Sequence, residues 1–416
     1  MHLYELPMIC VLAGLALYTI LGGADFGAGL WQLTTLVAPG RTPAARERAA
    51  QIREHAHHSM GPVWEANHVW LIFVLTVTWT AYPSAFGAIA STLAVPLLLA
   101  GIGVIFRGAA YALRAGTERP RELGLIDSVF SVASFLTPFA LGTVVGAVAS
   151  GRVPAGNAAG SLFGSWLNPT SLLVGVLAVV LAAYMAAVYL AADGARHGEP
   201  DLAERFRARA LIVGVLAGAI ALGGLPILHS DAHRLFERLL TGPGLVGAVL
   251  SAAGGIGTMV LVALRRYDAA RVSAALAVAG LIIGWALAQE PLLLAHLTLA
   301  QAAAPRSAII VLLVAIAMGG VILFPSLALL FGLVLRGRFD PGRSAADAPV
   351  GAAAIVSALG QGLSGRLAVA GLLGGLGFLT AADAPWAHIV GVVCLLACGV
   401  FAVRAVDPAD LAGEEP

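Results

Sequence analysis

Runs of about 20 apolar residues, each long enough to carry a helix across a bilayer core roughly 30 Å thick, recur along this whole chain. No water is present within lipid to satisfy the backbone, so each run must close its own hydrogen bonds as a helix. Eleven runs meet this description, near residues 6–38, 62–82, 84–106, 125–150, 169–192, 210–228, 243–264, 272–289, 306–335, 364–382 and 386–404. The pattern predicts an all-α fold, a polytopic transmembrane helix bundle. Composition agrees: 11% of the 416 residues are charged, against roughly a quarter in soluble domains, which does not describe a water-soluble enzyme. The 50 glycines sit within apolar runs without a three-residue repeat, so neither a collagen-like chain nor a low-complexity tail fits.

All 24 basic residues are arginine. Without lysine the chain can form neither a phosphate-binding P-loop nor a Schiff base. No HExxH, GxSxG or CxxC occurs, and no basic stripe with interleaved aromatics marks a nucleic-acid surface. Cys10, Cys394 and Cys398 lie in apolar runs and read as small buried hydrophobes rather than a disulfide framework. The first run follows no basic segment and precedes no small-residue cleavage site, so it reads as an uncleaved span.

Threading the runs back and forth across a membrane sorts the arginines. Only Arg152, Arg234, Arg238 and Arg306 fall on one side, and the rest fall on the other. Basic residues are retained in the cytoplasm, so the expected topology puts the N-terminus outside and the C-terminus inside. Residues 6–38 would reach about 50 Å as one helix. That span must therefore tilt, project or break, and GGADFGAG at 22–29 is where close helix approach or local distortion is expected. Residues 339–362, rich in Ala, Gly, Asp and Pro, read as an inner loop. They divide a nine-span domain, 1–338, from an extension, 363–416, with two spans.

Ionisable groups at membrane depth are costly and mark function by default. Asp25 interrupts the first span, Glu65 and His68 sit in the first turns of the second, Arg107 closes the third and Asp127 opens the fourth. On the expected topology they gather toward the inner face. They read either as a proton-uptake path or as structural ion pairs between helices, with Asp127 favoured as a helix N-terminal charge. Glu65 and His68 form one Glu-x-x-His half-motif; di-iron bundles need two, so no metal site is expected. His55, His57 and His58 read as a wetted inner loop, and His229 and His233 as outer loop residues. Trp64, Trp70 and Trp79 read as interfacial and packing residues.

GGADFGAGLW at 22–31, GPVWEANHVWLI at 61–72, FRGAAYALR at 106–114 and Asn-Pro at 168–169 together resemble subunit II of the cytochrome bd-type quinol oxidases, over about residues 1–338. The resemblance implies a haem-free subunit of a quinol:O2 oxidoreductase in the bacterial inner membrane, paired with a larger subunit I. That partner would hold b-type and d-type haems, oxidise quinol and reduce dioxygen to water with cytoplasmic protons. No cofactor is expected on this chain alone, although some members hold a quinone in a structural site. By position Asp25, Glu65 and Arg107 match the family's polar path, which His68 and Asp127 would join. Phe26, Gly27, Trp64, Asn67 and Trp70 match its packing motifs. His68 stands where some members have glutamine, and Ala24 lies where some carry a further acid. The family pattern does not explain residues 339–416. They are expected to lie at the complex periphery, among lipid, where small accessory subunits sit in some bd oxidases, with GLLGG at 371–375 as a packing face.

Two rivals differ in class. A secondary transporter would use Asp25, Glu65 and Arg107 as a substrate site and GGADFGAG as an unwound helix, but would usually repeat that break in a second half. A haem-bearing subunit would need facing axial histidines, and only His68, His296 and His388 lie near spans.

Overall fold

The computed structural model describes residues 2–37, 42–114, 116–117 and 119–335, with helical positions scattered between 366 and 401; the side chains of 54–66 and 321–335, among others, lie outside the described set. By compactness the chain divides into residues 1–323 and 324–416.

The long helices of the first unit are α1 (Leu6–Val37), α2 (Pro43–Ala81), α4 (Ala94–Arg114), α5 (Pro120–Ala149), α6 (Pro169–Arg196), α7 (Pro200–Gly223), α10 (Gly244–Ala263) and α11 (Tyr267–Gln289), with α13 (Arg306–Leu335) beginning in it. Shorter pieces are α3 (Pro83–Thr92), α8 (Leu225–Asp231), α9 (His233–Leu240), α12 (Leu299–Ala302) and a hairpin of β1 (Leu292–Leu294) and β2 (Leu297–Thr298). Among the described residues seven helices are long and apolar enough to cross a membrane, and Asn67–Ala81 and Arg306–Gly320 are shorter apolar helices. The fold is the expected all-α membrane bundle.

Proline starts α2, α3, α5, α6 and α7, where its missing N–H costs nothing and its fixed φ suits the first turn. At α6 Asn168 completes the start by accepting a hydrogen bond from the Ser171 amide at 2.9 Å, which gives the Asn-Pro motif a local cause. Arginines close helix ends from neighbouring helices. Arg207 of α7 donates to the Val262 and Ala263 carbonyls at the end of α10, both at 3.1 Å. Arg238 of α9 donates to Ala288 of α11 at 2.9 Å. Terminal carbonyls lack intrahelical partners and favour a cation, so these contacts fix helix ends against one another.

Several expected boundaries move. The inner loop before the second span is the first half of α2, so Glu65 and His68 lie mid-helix instead of in first turns. The third span breaks at Leu93 between α3 and α4. Pro96 explains it, having no N–H for the Thr92 carbonyl and crowding that carbonyl with its ring. The helix then continues to Arg114, which leaves Arg107 two turns inside it. His229 and His233 belong to α8 and α9, not to a loop.

α1 packs against α2, α5, α6 and α11 and remains helical through GGADFGAG. Its glycines serve close approach, each toward a different neighbour. A Cβ on Gly22 would meet the Asn67 amide of α2 at 2.9 Å, one on Gly27 the Ala182 carbonyl of α6 at 1.9 Å, and one on Gly29 Ser134 of α5 at 2.1 Å.

In the second unit Gly371 packs against the backbone of Cys394 and Cys398. The start of the GLLGG face is thus used between the two segments of the extension. The expected loop 339–362 lies outside the described residues.

Candidate functional site

Helical periodicity places polar side chains on one face of each of three packed helices. Tyr18, Asp25 and Gln32 recur every seven residues on α1, Arg107 and Arg114 are seven apart on α4, and Asp127, Ser131 and Ser134 follow at four and three on α5. Three apolar helices that each carry one such stripe can bury them only against one another. All are buried except Arg114, which is partly so.

At the centre is Arg107, 0% exposed, in an ion pair with Asp25, 1% exposed. Nη2 donates to the Asp25 carboxylate and, at 2.8 Å, to the Asp25 carbonyl. Nη1 donates to the Ser134 hydroxyl, which itself donates to the Phe130 carbonyl at 2.6 Å. Phe26 and Phe130 face the guanidinium carbon at 4.8 and 4.2 Å, adding cation–π attraction to a cation that is fully buried. A charge pair this deep is tolerated only when both members and their hydrogen bonds are in place.

Around the pair lie polar atoms with unused capacity. Asp25 Oδ2, Arg107 Nε, both amide atoms of Asn67, the Ser131 hydroxyl and the Tyr18 hydroxyl are buried without a hydrogen-bond partner. Tyr18, edge-on to Phe26 at 6.4 Å, is close enough to Asp25 and Arg107 to feel both charges, His68 is close enough to act on Asp25 by its charge, and the Asn67 amide lies within hydrogen-bonding reach of Asp25. Each unsatisfied group costs about 1–3 kcal/mol, so their clustering marks a polar site and not a packed apolar core.

Toward the arginine-rich end, Asp127 pairs with Arg114. α5 begins at Pro120, two turns before Asp127, so this residue is an ion-pair partner and not a helix N-terminal charge; Glu122 occupies that first turn. From Asp127 to Ser134 the seam rises about 10 Å along α5, and from Asp25 to Tyr18 about 10 Å along α1, at 1.5 Å per residue.

The structure therefore brings Asp25, Arg107, Asn67, His68 and Phe26 together and sets Asp127 on the same α5 face. Gly27 lies on the other side of α1, against α6. Trp70 is buried edge-on to Phe73 at 6.1 Å, a packing role, whereas Trp79 is exposed and stacks on Phe86 at 5.7 Å. The side chains of Glu65, Trp64, His55, His57 and His58 lie outside the described residues, as does His388. Sequence reasoning missed Tyr18, Ser131 and Ser134, whose offsets of seven from Asp25 and of four and seven from Asp127 were the available signal.

No group of three His, Cys, Asp or Glu side chains among the described residues could hold a metal ion. His229 and His233 touch edge to face at 4.9 Å between ring centres, which leaves no room for a haem between them. The described histidine pair does not fit bis-histidine ligation.

Comparison with known proteins gives one family. The "Cytochrome bd-I ubiquinol oxidase subunit 2" of Escherichia coli (strain K12) is 28% identical over 184 residues, 42% of this chain and 44% of that protein. The "Cytochrome bd ubiquinol oxidase subunit 2" of Bacillus subtilis (strain 168) is 26% identical over 142 residues, 34% of this chain and 39% of that protein. The matched stretches thus span less than half of these curated relatives. A chain in the solved structure of bd oxidase from Geobacillus thermodenitrificans superimposes with a TM-score of 0.62 at 23% identity, covering 80% of this chain and 99% of that one, and so shares its fold. The sequence profile for "Cytochrome bd terminal oxidase subunit II" matches residues 3–334, and with most of its length so matched the chain belongs to that family.

Proposed function

We propose that this chain is the haem-free subunit of a bd-type quinol:O2 oxidoreductase in a bacterial inner membrane, oriented with its N-terminus outside, and that its buried seam conducts protons from the cytoplasm toward the partner subunit. The observation that carries the reading is the Asp25–Arg107 pair set among unpartnered polar atoms on α1, α2, α4 and α5. In such an assembly the partner's haems supply the oxygen chemistry, with quinol as the electron donor.

This chain's part would be proton handling. Asp127 and Arg114 form a charged entrance at the arginine-rich end, and Ser131 and Ser134 continue inward from it. Asp25 keeps one carboxylate oxygen on Arg107 and leaves Oδ2 able to take a proton. Arg107 offsets the charge left when that proton departs, and Tyr18 carries the seam onward. His68 and Glu65 would meet it from α2. The unbroken α1 speaks against a transporter, whose substrate site needed GGADFGAG unwound.

Tagging the chain, purifying it in mild detergent and recording a reduced-minus-oxidised spectrum tests the assignment. A larger subunit with b- and d-haem bands is expected to co-purify; a colourless chain without a partner would sink the reading. The extension is proposed to act at the complex periphery, in the manner of a small accessory subunit. Removing residues 345–416 is expected to lower assembled haem without changing turnover per haem, and normal haem content in the truncated protein would refute that role.

A further inference from the structure

At the arginine-rich end, the close of α6 and the turn from α10 to α11 enclose an open cleft of about 410 Å³, lined by Ala192, Arg196, Arg265, Arg266, Tyr267 and Asp268 among others. Its size falls in the range of roughly 300–1,000 Å³ typical of small-ligand sites. None of these residues belongs to the seam.

Three guanidiniums face one carboxylate in the lining. Arg196 engages Asp268 at 2.6 Å, and Arg265 reaches Glu204, outside the lining, at 3.2 Å. No carboxylate among the described residues pairs with Arg266. The cleft therefore keeps a positive excess. It also contains the first residues of α11, whose amide N–H groups have no intrahelical acceptors and favour an anion. A neutralising ligand with oxygen acceptors would suit both features.

The apolar surroundings restrict the kind of anion. Leu264 directly precedes Arg265, and Val272 and Leu276 follow Asp268 of the lining by four and eight residues, on the same face of α11; all three are large exposed hydrophobics. An inorganic ion would use the arginines and leave this strip untouched. A lipid would use both.

We propose that the cleft binds an anionic phospholipid, its phosphodiester held by Arg196, Arg265, Arg266 and the α11 amides and its acyl chain lying along Val272 and Leu276. A zwitterionic lipid brings a cation toward the arginines and binds less well. Basic residues at a membrane surface each strengthen attraction to anionic lipid by about a factor of five.

Native mass spectrometry of the full-length protein, with whatever subunits co-purify, tests this. Dioleoyl phosphatidylglycerol, dioleoyl phosphatidylcholine and inorganic phosphate are titrated separately and in competition. Phosphatidylglycerol is expected to bind preferentially, and Arg265→Gln with Arg266→Gln to weaken it about 30-fold. Asp268→Asn, which removes the opposing charge and releases Arg196, is expected to tighten it several-fold, a gain that misfolding cannot mimic. Equal binding of the two lipids, or no response to either variant, overturns the proposal. Displacement of phosphatidylglycerol by millimolar phosphate assigns the cleft to free anions and likewise overturns it.

Discussion

On the proposed proton route, Asp25→Asn is expected to lower quinol-driven oxygen consumption by at least about a hundredfold per haem, the scale on which positioned proton-transfer groups act. The amide preserves shape and can still accept from Arg107, but it carries no exchangeable acid proton. It also leaves Arg107 as an uncompensated cation at 0% exposure, a change that costs about 3–5 kcal/mol when one member of a buried pair is lost. Assembly is therefore expected to fall as well. Activity alone would confuse the two effects, so turnover is normalised to the b- and d-haem absorbance of the purified complex.

The double variant Asp25→Asn with Arg107→Gln separates them. Removing both charges takes away the uncompensated ion, and neutral replacements of buried pairs are often tolerated. Haem content is expected to recover substantially over Asp25→Asn alone, while turnover per haem stays low. Full turnover per haem in the assembled double variant would reduce the pair to a helix clamp and remove Asp25 from the proton route.

The architecture was legible because a bilayer demands long apolar helices and this chain supplies them. Helix ends were less so. α2 runs back to Pro43 through a polar stretch that hydropathy reads as a loop, because only its Asn67–Ala81 part is apolar. The break at Leu93 sits inside an uninterrupted apolar run, where its cause is the backbone geometry of Pro96. At the site, Asp25 and Arg107 stood out because a charge in lipid is conspicuous, yet nothing local to either said they face each other across 82 positions of sequence. Ser131, Ser134 and Tyr18 are harder to find, since a lone hydroxyl in an apolar helix is common. They matter here only because three helices bring their faces together. Asp127 shows the opposite error: hydropathy puts it at a helix start, whereas the two preceding turns of α5 change what its charge does.

Gly27→Val is expected to prevent accumulation of the assembled protein. A Cβ there would lie 1.9 Å from the Ala182 carbonyl and 2.6 Å from the Ala186 methyl, and the first obstacle is main chain within α6, which no rotamer change can move. α1 would have to shift away from α6, and α1 carries Asp25 on its other side. The seam therefore depends on a glycine that contributes no polar atom to it. The control is Gly255→Ala on α10, where a Cβ meets nothing within 4 Å; replacing glycine within a helix there is expected to be neutral or to stabilise by up to about 1 kcal/mol. Fluorescence-detected size exclusion of detergent-solubilised membranes compares the variants after a heating series. Gly27→Ala is expected to show a monodisperse peak lost at a lower temperature than wild type, and Gly27→Val no such peak. If Gly27→Ala instead matched Gly255→Ala, α1 and α6 would not approach as closely in the membrane as their packing requires. The placement of Asp25 against Arg107 would then need another cause, because it is this approach that fixes the position of α1 between α5 and α6.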